Sequence, residues 1–155
     1  MNLKTLLDHL SHLPQGLGGV KIALQGPLGA GKTHLVKALA ERLLPGLGDD
    51  VQSPSFNLCH EYAAPGLVIQ HYDLYRIESA NELEELGIYE SLSDEHSLCL
   101  IEWADLFAEI RRLCHYAIEI RLLPDQSRDY FVFALDQKSQ LDLDCTVQQV
   151  DIKAK

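Results

Sequence analysis

Gly26-Pro27-Leu28-Gly29-Ala30-Gly31-Lys32-Thr33 is the stretch on which the reading of this chain turns. It fits the pattern G-x-x-x-x-G-K-[ST] in full. Ahead of it, Val20 to Gln25 alternates and is β-rich; behind it, Lys32 to Leu44 reads as a helix stopped by Pro45-Gly46. Strand, glycine loop and helix in that order form a phosphate cradle. Glycine lets backbone N–H groups converge on phosphate oxygens with no Cβ in the way, and the following helix adds its positive N-terminal end. Gly26, Pro27, Leu28, Gly29, Ala30, Gly31, Lys32 and Thr33 are therefore the candidate nucleotide-binding residues. Lys32 would reach the β and γ phosphates, and Thr33 would give its hydroxyl to a Mg²⁺ bridging them. A plain glycine-rich turn is the alternative, and the flanking strand and helix count against it. No N-K-x-D guanine signature is present, which favours ATP over GTP.

Working outward, Leu3, Leu6, Leu7, Leu10 and Leu13 recur at helical spacing, and Pro14 to Gly19 ends that helix. Phe56 to Tyr62 and Leu67 to Tyr72 read as strands joined by Ala64-Pro65-Gly66, an antiparallel hairpin. Glu78 to Glu90 is helix-like, with Ser79 as cap, Glu82 as its reciprocal partner and Gly87 as a weak point. Ser97 to Ile101 is a continuous apolar run suited to a strand covered on both faces, and Trp103 to Leu113 follows as a helix. His115 to Leu122 and Tyr130 to Leu135 are two more strands. The expected fold is α/β, a three-layer P-loop NTPase domain with a mixed, mainly parallel sheet and antiparallel additions. Residues 1–155 read as one domain, with 1–19 an N-terminal helix and loop and 136–155 a polar, weakly patterned tail.

At 155 residues, 46% hydrophobic and 23% charged, the chain can build one sizeable core without staples. Thirteen Lys and Arg against 23 Asp and Glu give a net charge of -10, which argues against holding nucleic acid by bulk charge. The four cysteines, Cys59, Cys99, Cys114 and Cys145, show no C-x-x-C spacing and read as buried free thiols. The start carries charge and His within its apolar pattern, and no run approaches membrane-spanning length. A cytoplasmic protein with no membrane contact is expected.

A phosphate loop of this kind needs a carboxylate for Mg²⁺ from the end of another strand. Asp73, ending Val68-Ile69-Gln70-His71-Tyr72-Asp73, and Glu102, ending Leu98-Cys99-Leu100-Ile101-Glu102, are the two candidates. A cap or surface carboxylate is the alternative for each. Arg76, Arg111, Arg112 and Arg128 could each bring positive charge to a γ-phosphate, although isolated arginines more often pair with surface acids. The seven histidines form no ligand pattern; His34 and His71 fall near the proposed site, and a structural role is favoured for both. Glu78, Glu82, Glu84, Glu85 and Glu90 form an acidic face that is either solvated or a seat for a basic partner.

With these segments in order, the chain resembles the TsaE (YjeE) family of bacterial P-loop ATPases, which take part in making the threonylcarbamoyladenosine (t6A) modification of tRNA. The resemblance is carried by Gly29 to Thr33, Ser53-Pro54-Ser55-Phe56, His71-Tyr72-Asp73-Leu74-Tyr75-Arg76, Glu82-Leu83-Glu84-Glu85-Leu86-Gly87 and Ile101-Glu102-Trp103, which together span about residues 20 to 135. It implies that Lys32, Asp73 and Glu102 are catalytic, with Asp73 and Glu102 flanking Mg²⁺ and the attacking water beside Thr33. It also implies a switch-like position for Ser55, and places Trp103 and Arg128 near the nucleotide. The sequence departs from the family pattern in having Pro27 for Asp and Ser55 for Thr, and it is expected to lack the N-terminal segment that helps enclose adenine in relatives.

The family resemblance further implies a Mg-dependent ATPase, weak alone, that works with the TsaB and TsaD proteins, the latter transferring the threonylcarbamoyl group to adenosine 37 of tRNA. ATP and Mg²⁺ are then the cofactors, and tRNA is met only through the partners. From the residues alone, two other readings stay open. A small P-loop kinase shares the logic of the first 45 residues, though no Arg-rich lid is visible; a nucleotide-gated binding module would need no hydrolysis.

Overall fold

The computed structural model describes residues 1–144. Its six strands are β1 (Lys21–Gln25), β2 (Cys59–Ala64), β3 (Leu67–Asp73), β4 (Ser97–Glu102), β5 (Tyr116–Leu122) and β6 (Arg128–Ala134). They form one sheet in the order β2-β3-β4-β1-β5-β6. The four central strands run parallel, and the outer strands β2 and β6 pair antiparallel with β3 and β5. The expected mixed sheet is thus observed.

Period-two alternation splits the central strands between two cores. Ile22, Leu24, Leu98, Leu100, Ile118 and Ile120 face α1 (Leu3–Ser11) and α2 (Lys32–Leu43), meeting Leu6, Leu10, Leu35, Val36 and Leu39. Ala23, Cys99, Ile101 and Ala117 face the other way, toward α3 (Ala80–Glu85), α4 (Ile88–Ser93) and α5 (Ala108–Arg112), meeting Leu83, Ile88 and Ile110. Every residue of β4 is buried, as its unbroken apolar run requires. The result is three layers, with helices on both faces of the sheet.

Four local expectations are corrected. The hairpin's first strand begins at Cys59 rather than Phe56, because Leu58 has φ of +62° and Phe56 stands 86% exposed. The acidic helix is two short helices with Gly87 at φ +73° between them; the capping box of Ser79 and Glu82 is present at the first. Trp103 to Leu113 is a 3-10 turn (Ala104–Leu106) and then α5, divided by the extended Phe107. In the polar C-terminal stretch, residues 137–144 are helical, begun by Asp136, whose carboxylate accepts from the Ser139 amide at 2.8 Å and its hydroxyl at 2.7 Å. Cys99 and Cys114 are buried free thiols and Cys59 is a half-buried one; Cys145 lies outside the described residues. No helix among the described residues is long and apolar enough to cross a membrane.

At the edge of the sheet remote from the glycine loop, His115 Nδ1 accepts from the Lys21 amide at 3.0 Å. Burial lowers the His115 pKa, Asp136 partly offsets this, and Lys21 and Lys138 lower it further. The neutral imidazole is therefore the form the fold holds. Because the folded value lies below the unfolded one of about 6.5, this contribution is complete above that pH and is lost as pH falls toward the folded value. Thermal midpoints compared at pH 7.5 and pH 5 should show an acid-side drop that shrinks in His115→Asn, whose amide oxygen keeps an acceptor that does not titrate.

Candidate nucleotide site

Register places the two carboxylates. Asp73 and Glu102 are direct partners at the ends of the parallel strands β3 and β4, separated by one strand spacing of about 4.8 Å, and Glu102 in turn faces Leu24 of β1. The glycine loop leaves β1 two residues later. Strand ends, loop and the first turn of α2 therefore meet at the carboxyl edge of the parallel strands, where open α/β sheets form their ligand crevice. A cleft of about 410 Å³ opens there, lined by loop residues, Lys32, Thr33, Ser53, Ser55, Asp73 and Glu102 among others.

Gly26 and Gly31 shape the loop. Gly26 has φ +146°, and a Cβ there would lie 2.8 Å from the Ile120 carbonyl oxygen and 3.1 Å from Ala30 Cβ, so the loop folds flat against β5. Gly31 opens α2 at φ +100°, and a Cβ there would meet the Arg128 side chain at 2.8 Å. Arg128 donates from Nε to the Ala30 carbonyl at 2.7 Å, so β6 braces the loop from outside the cleft. Leu28 is exposed on the cleft's rim.

Lys32 is 4% exposed, and its Nζ donates to the carbonyls of Gly26 at 2.7 Å and Pro27 at 3.1 Å. The Trp103 ring lies beneath it, 3.8 Å from Nζ to the ring centre, and Tyr75 stacks on Trp103 at 4.9 Å. Burial pushes the Lys32 pKa down, and the nearby carboxylates of Glu102, Asp73 and Asp105 pull it partly back. This ammonium is poised to gain from a multiply charged anion. Trp103 itself takes φ +62°, a costly conformation for an aromatic residue, held where the chain turns off β4 above the loop.

The carboxylates are differently employed. Glu102 Oε1 accepts from the Thr33 hydroxyl at 2.7 Å and stands 2.8 Å from His71 Nε2, all three on the α2 side of the sheet. Asp73 Oδ1 accepts from the Tyr75 amide at 3.0 Å, and its Oδ2 is 3.4 Å from the hydroxyls of Ser53 and Ser55, which lie 2.6 Å from each other. Hard oxygen donors from Thr33, Glu102, Asp73 and Ser55 suit Mg²⁺. Among the described residues no three His, Cys, Asp or Glu could hold a metal by themselves, so such an ion would draw its remaining ligands from phosphate and water.

The phosphate loop, Ser55, Asp73, Glu102 and Trp103 thus lie at one edge, with Pro27 contributing its carbonyl to Lys32 and Arg128 its brace. Arg76 lies on the cleft wall with its guanidinium 5.1 Å from the Phe56 ring, whereas Arg111 and Arg112 are exposed at the end of α5 and His34 is exposed on α2. Ser53 and Tyr75 on the cleft and Asp105 near Lys32 carry no signal of their own in the sequence, although Ser53 and Tyr75 lie inside the stretches that carry the family resemblance. His71, for which a structural role is expected, alternates with Asp73 along β3, which puts both on the face of α2, a signal that period-two counting supplies.

A family model described as threonylcarbamoyl adenosine biosynthesis protein TsaE matches residues 2–130. The tRNA threonylcarbamoyladenosine biosynthesis protein TsaE of Bacillus subtilis is 35% identical over 123 residues, 79% of this chain and 75% of that one. Its counterpart in Treponema pallidum is 34% identical over 114 residues, 74% and 82% of the two chains, and that of Rickettsia typhi 35% over 107 residues, 69% and 72%. The crystal structure of Bacillus subtilis YdiB superposes with a TM-score of 0.67 at 25% identity, covering 96% of this chain and 91% of that one. Sequence match over most of the length and likeness of fold agree, and the chain belongs to the TsaE family.

Proposed function

We propose that this chain is a Mg-dependent ATPase, weak alone, that is required for the threonylcarbamoyl modification of adenosine 37 in tRNA and couples ATP hydrolysis to turnover of a TsaB–TsaD complex. The observation that carries the nucleotide half of this reading is the Thr33 hydroxyl bound to the Glu102 carboxylate at 2.7 Å, beside the buried ammonium of Lys32. The names of its relatives support the tRNA half. With a net charge of -10 the chain meets tRNA only through those partners, in the cytoplasm.

In this reading Lys32 and the loop amides from Gly26 to Thr33 hold the β and γ phosphates, and Arg128 and Trp103 close the loop's two sides. Mg²⁺, when bound, neutralises charge on the phosphate oxygens and orders them. Thr33 would offer an oxygen lone pair to the metal while its hydroxyl still donates to Glu102 Oε1. Glu102 Oε2 would be free to hold the metal or an attacking water, and Asp73 contacts the Ser53 to Ser55 loop and would order water beside it. That loop reaches Asp73 only through 3.4 Å contacts, which favours its use as a switch and keeps gating as a second reading.

The test is ATP turnover by the purified full chain with Mg²⁺, alone and with TsaB and TsaD, using Lys32→Ala as the inactive control. A low rate that rises with the partners supports the coupled ATPase. A rate indifferent to them, with the control inactive, keeps the nucleotide site and removes the pathway. Glu102→Ala should retain metal-free ATP binding, lose the affinity that Mg²⁺ adds, and lower turnover about 10²–10³-fold, the usual cost of removing one positioned group at a charge-developing centre. If modification activity survives that loss of turnover, gating rather than hydrolysis is the purpose.

A further inference from the structure

His71 is fully buried in β3, facing α2, and its Nε2 lies 2.8 Å from Glu102 Oε1. Its other ring nitrogen, Nδ1, is buried with no hydrogen-bond partner among the described residues, and the Tyr62 ring lies 6.4 Å away between centres. A leucine would fill this place without leaving a polar atom orphaned, and an orphaned buried nitrogen is a cost that packing alone does not justify. The imidazole's one polar contact among the described residues is with Glu102. An ionised carboxylate only accepts, so Nε2 carries the proton and donates it.

We propose that His71 is a positioning residue that fixes the Glu102 carboxylate for Mg²⁺. Glutamate has three rotatable bonds, whereas the imidazole is locked between the sheet and α2. With Thr33 and His71 both donating to Oε1, the carboxylate plane is pinned at two points and Oε2 is the oxygen left to the cleft that Glu102 lines. Thr33 alone does not suffice, because a single donated hydrogen bond leaves the carboxylate free to pivot about Oε1. His71 touches neither nucleotide nor metal; it acts through Glu102. The inference rests on the proposal that this cleft binds a Mg²⁺–nucleotide.

Two substitutions separate positioning from packing. His71→Gln places an amide N–H where Nε2 stands, within reach of Oε1, while His71→Asn places one where Nδ1 stands and falls short. Both are buried amides of similar burden on the fold, and thermal unfolding of each full chain checks that they fold alike. A non-hydrolysable ATP analogue is titrated calorimetrically into wild type and both variants, once in EDTA and once in Mg²⁺. His71→Asn should lose the gain in affinity that Mg²⁺ confers by about 10–100-fold, the usual cost of removing a partner of a metal ligand, with its affinity in EDTA unchanged. His71→Gln should keep that gain within about threefold.

Equal losses with and without Mg²⁺, an Asn variant with the wild-type Mg²⁺ gain, or a Gln variant as poor as Asn would each overturn the positioning role. A wild-type chain that shows no Mg²⁺-dependent nucleotide binding overturns the nucleotide reading itself, and the inference with it. The two failures are thereby distinguishable.

Discussion

Lys32→Ala is expected to weaken Mg-ATP binding by about 10²–10³-fold, the equivalent of losing one desolvated charge pair. In the folded chain the ammonium is 4% exposed and satisfied by two carbonyls and an aromatic face, with no carboxylate hydrogen-bonded to it among the described residues. Burial lowers its pKa, which means that the fold holds the charged form at a cost. Phosphate relieves that cost, so this charge contributes more to binding than an exposed lysine does. The same reasoning predicts that truncation leaves folding nearly untouched, with the thermal midpoint moving no more than about 4 °C. Calorimetric titration and a melting curve on the same preparation check both halves. Undiminished affinity in a folded variant would remove Lys32 from the phosphate site.

Gly26→Ala should act on the fold and the site together. At φ +146° an alanine is strained wherever it is placed, and here its Cβ would sit 2.8 Å from the Ile120 carbonyl oxygen, an atom fixed in β5. The loop must lift from β5, taking with it the Gly26 carbonyl that Lys32 binds. A destabilisation of about 2–4 kcal/mol follows from backbone strain plus displaced main chain, seen as a fall of about 5–15 °C in the thermal midpoint. Gly31→Ala is the informative comparison. Its φ of +100° is also unfavourable, but the obstructing group is the Arg128 side chain, which can swing away, so the steric part of the cost is smaller. Equal melting of the Gly26 variant and wild type would show that the loop is not seated on β5 as described.

Much of the fold was legible because it depends on short-range chemistry. The alternation of Val20 to Gln25, the glycines before Lys32, the two-faced apolar run of Ser97 to Ile101 and the Ser79–Glu82 capping box each report a local preference, and each appears where the residues place it. Two of the local differences share one cause. Leu58 and Trp103 take positive φ, a conformation that no propensity assigns to Leu or Trp and that tertiary packing imposes. The helix at 137–144 is not legible locally for a related reason: its pattern is weak, and Leu143 gains its apolar setting from the core it reaches.

The residue types of the site, too, belong to the sequence: a phosphate loop, two acids at strand ends and a hydroxyl after Lys32. Their partnership does not. Thr33 and Glu102 are 69 residues apart and Arg128 lies 98 from Ala30, yet each pair shares a hydrogen bond of 2.7 Å. The strand order β2-β3-β4-β1-β5-β6 and the register that sets Asp73 beside Glu102 decide this, and both are fixed by the sum of packing over two core faces rather than by any local preference. His71 shows the division most clearly. Its sequence neighbours identify it as a strand residue two positions before an acid, and only the adjacent parallel strand, in that register, supplies the carboxylate that gives its buried nitrogen a purpose.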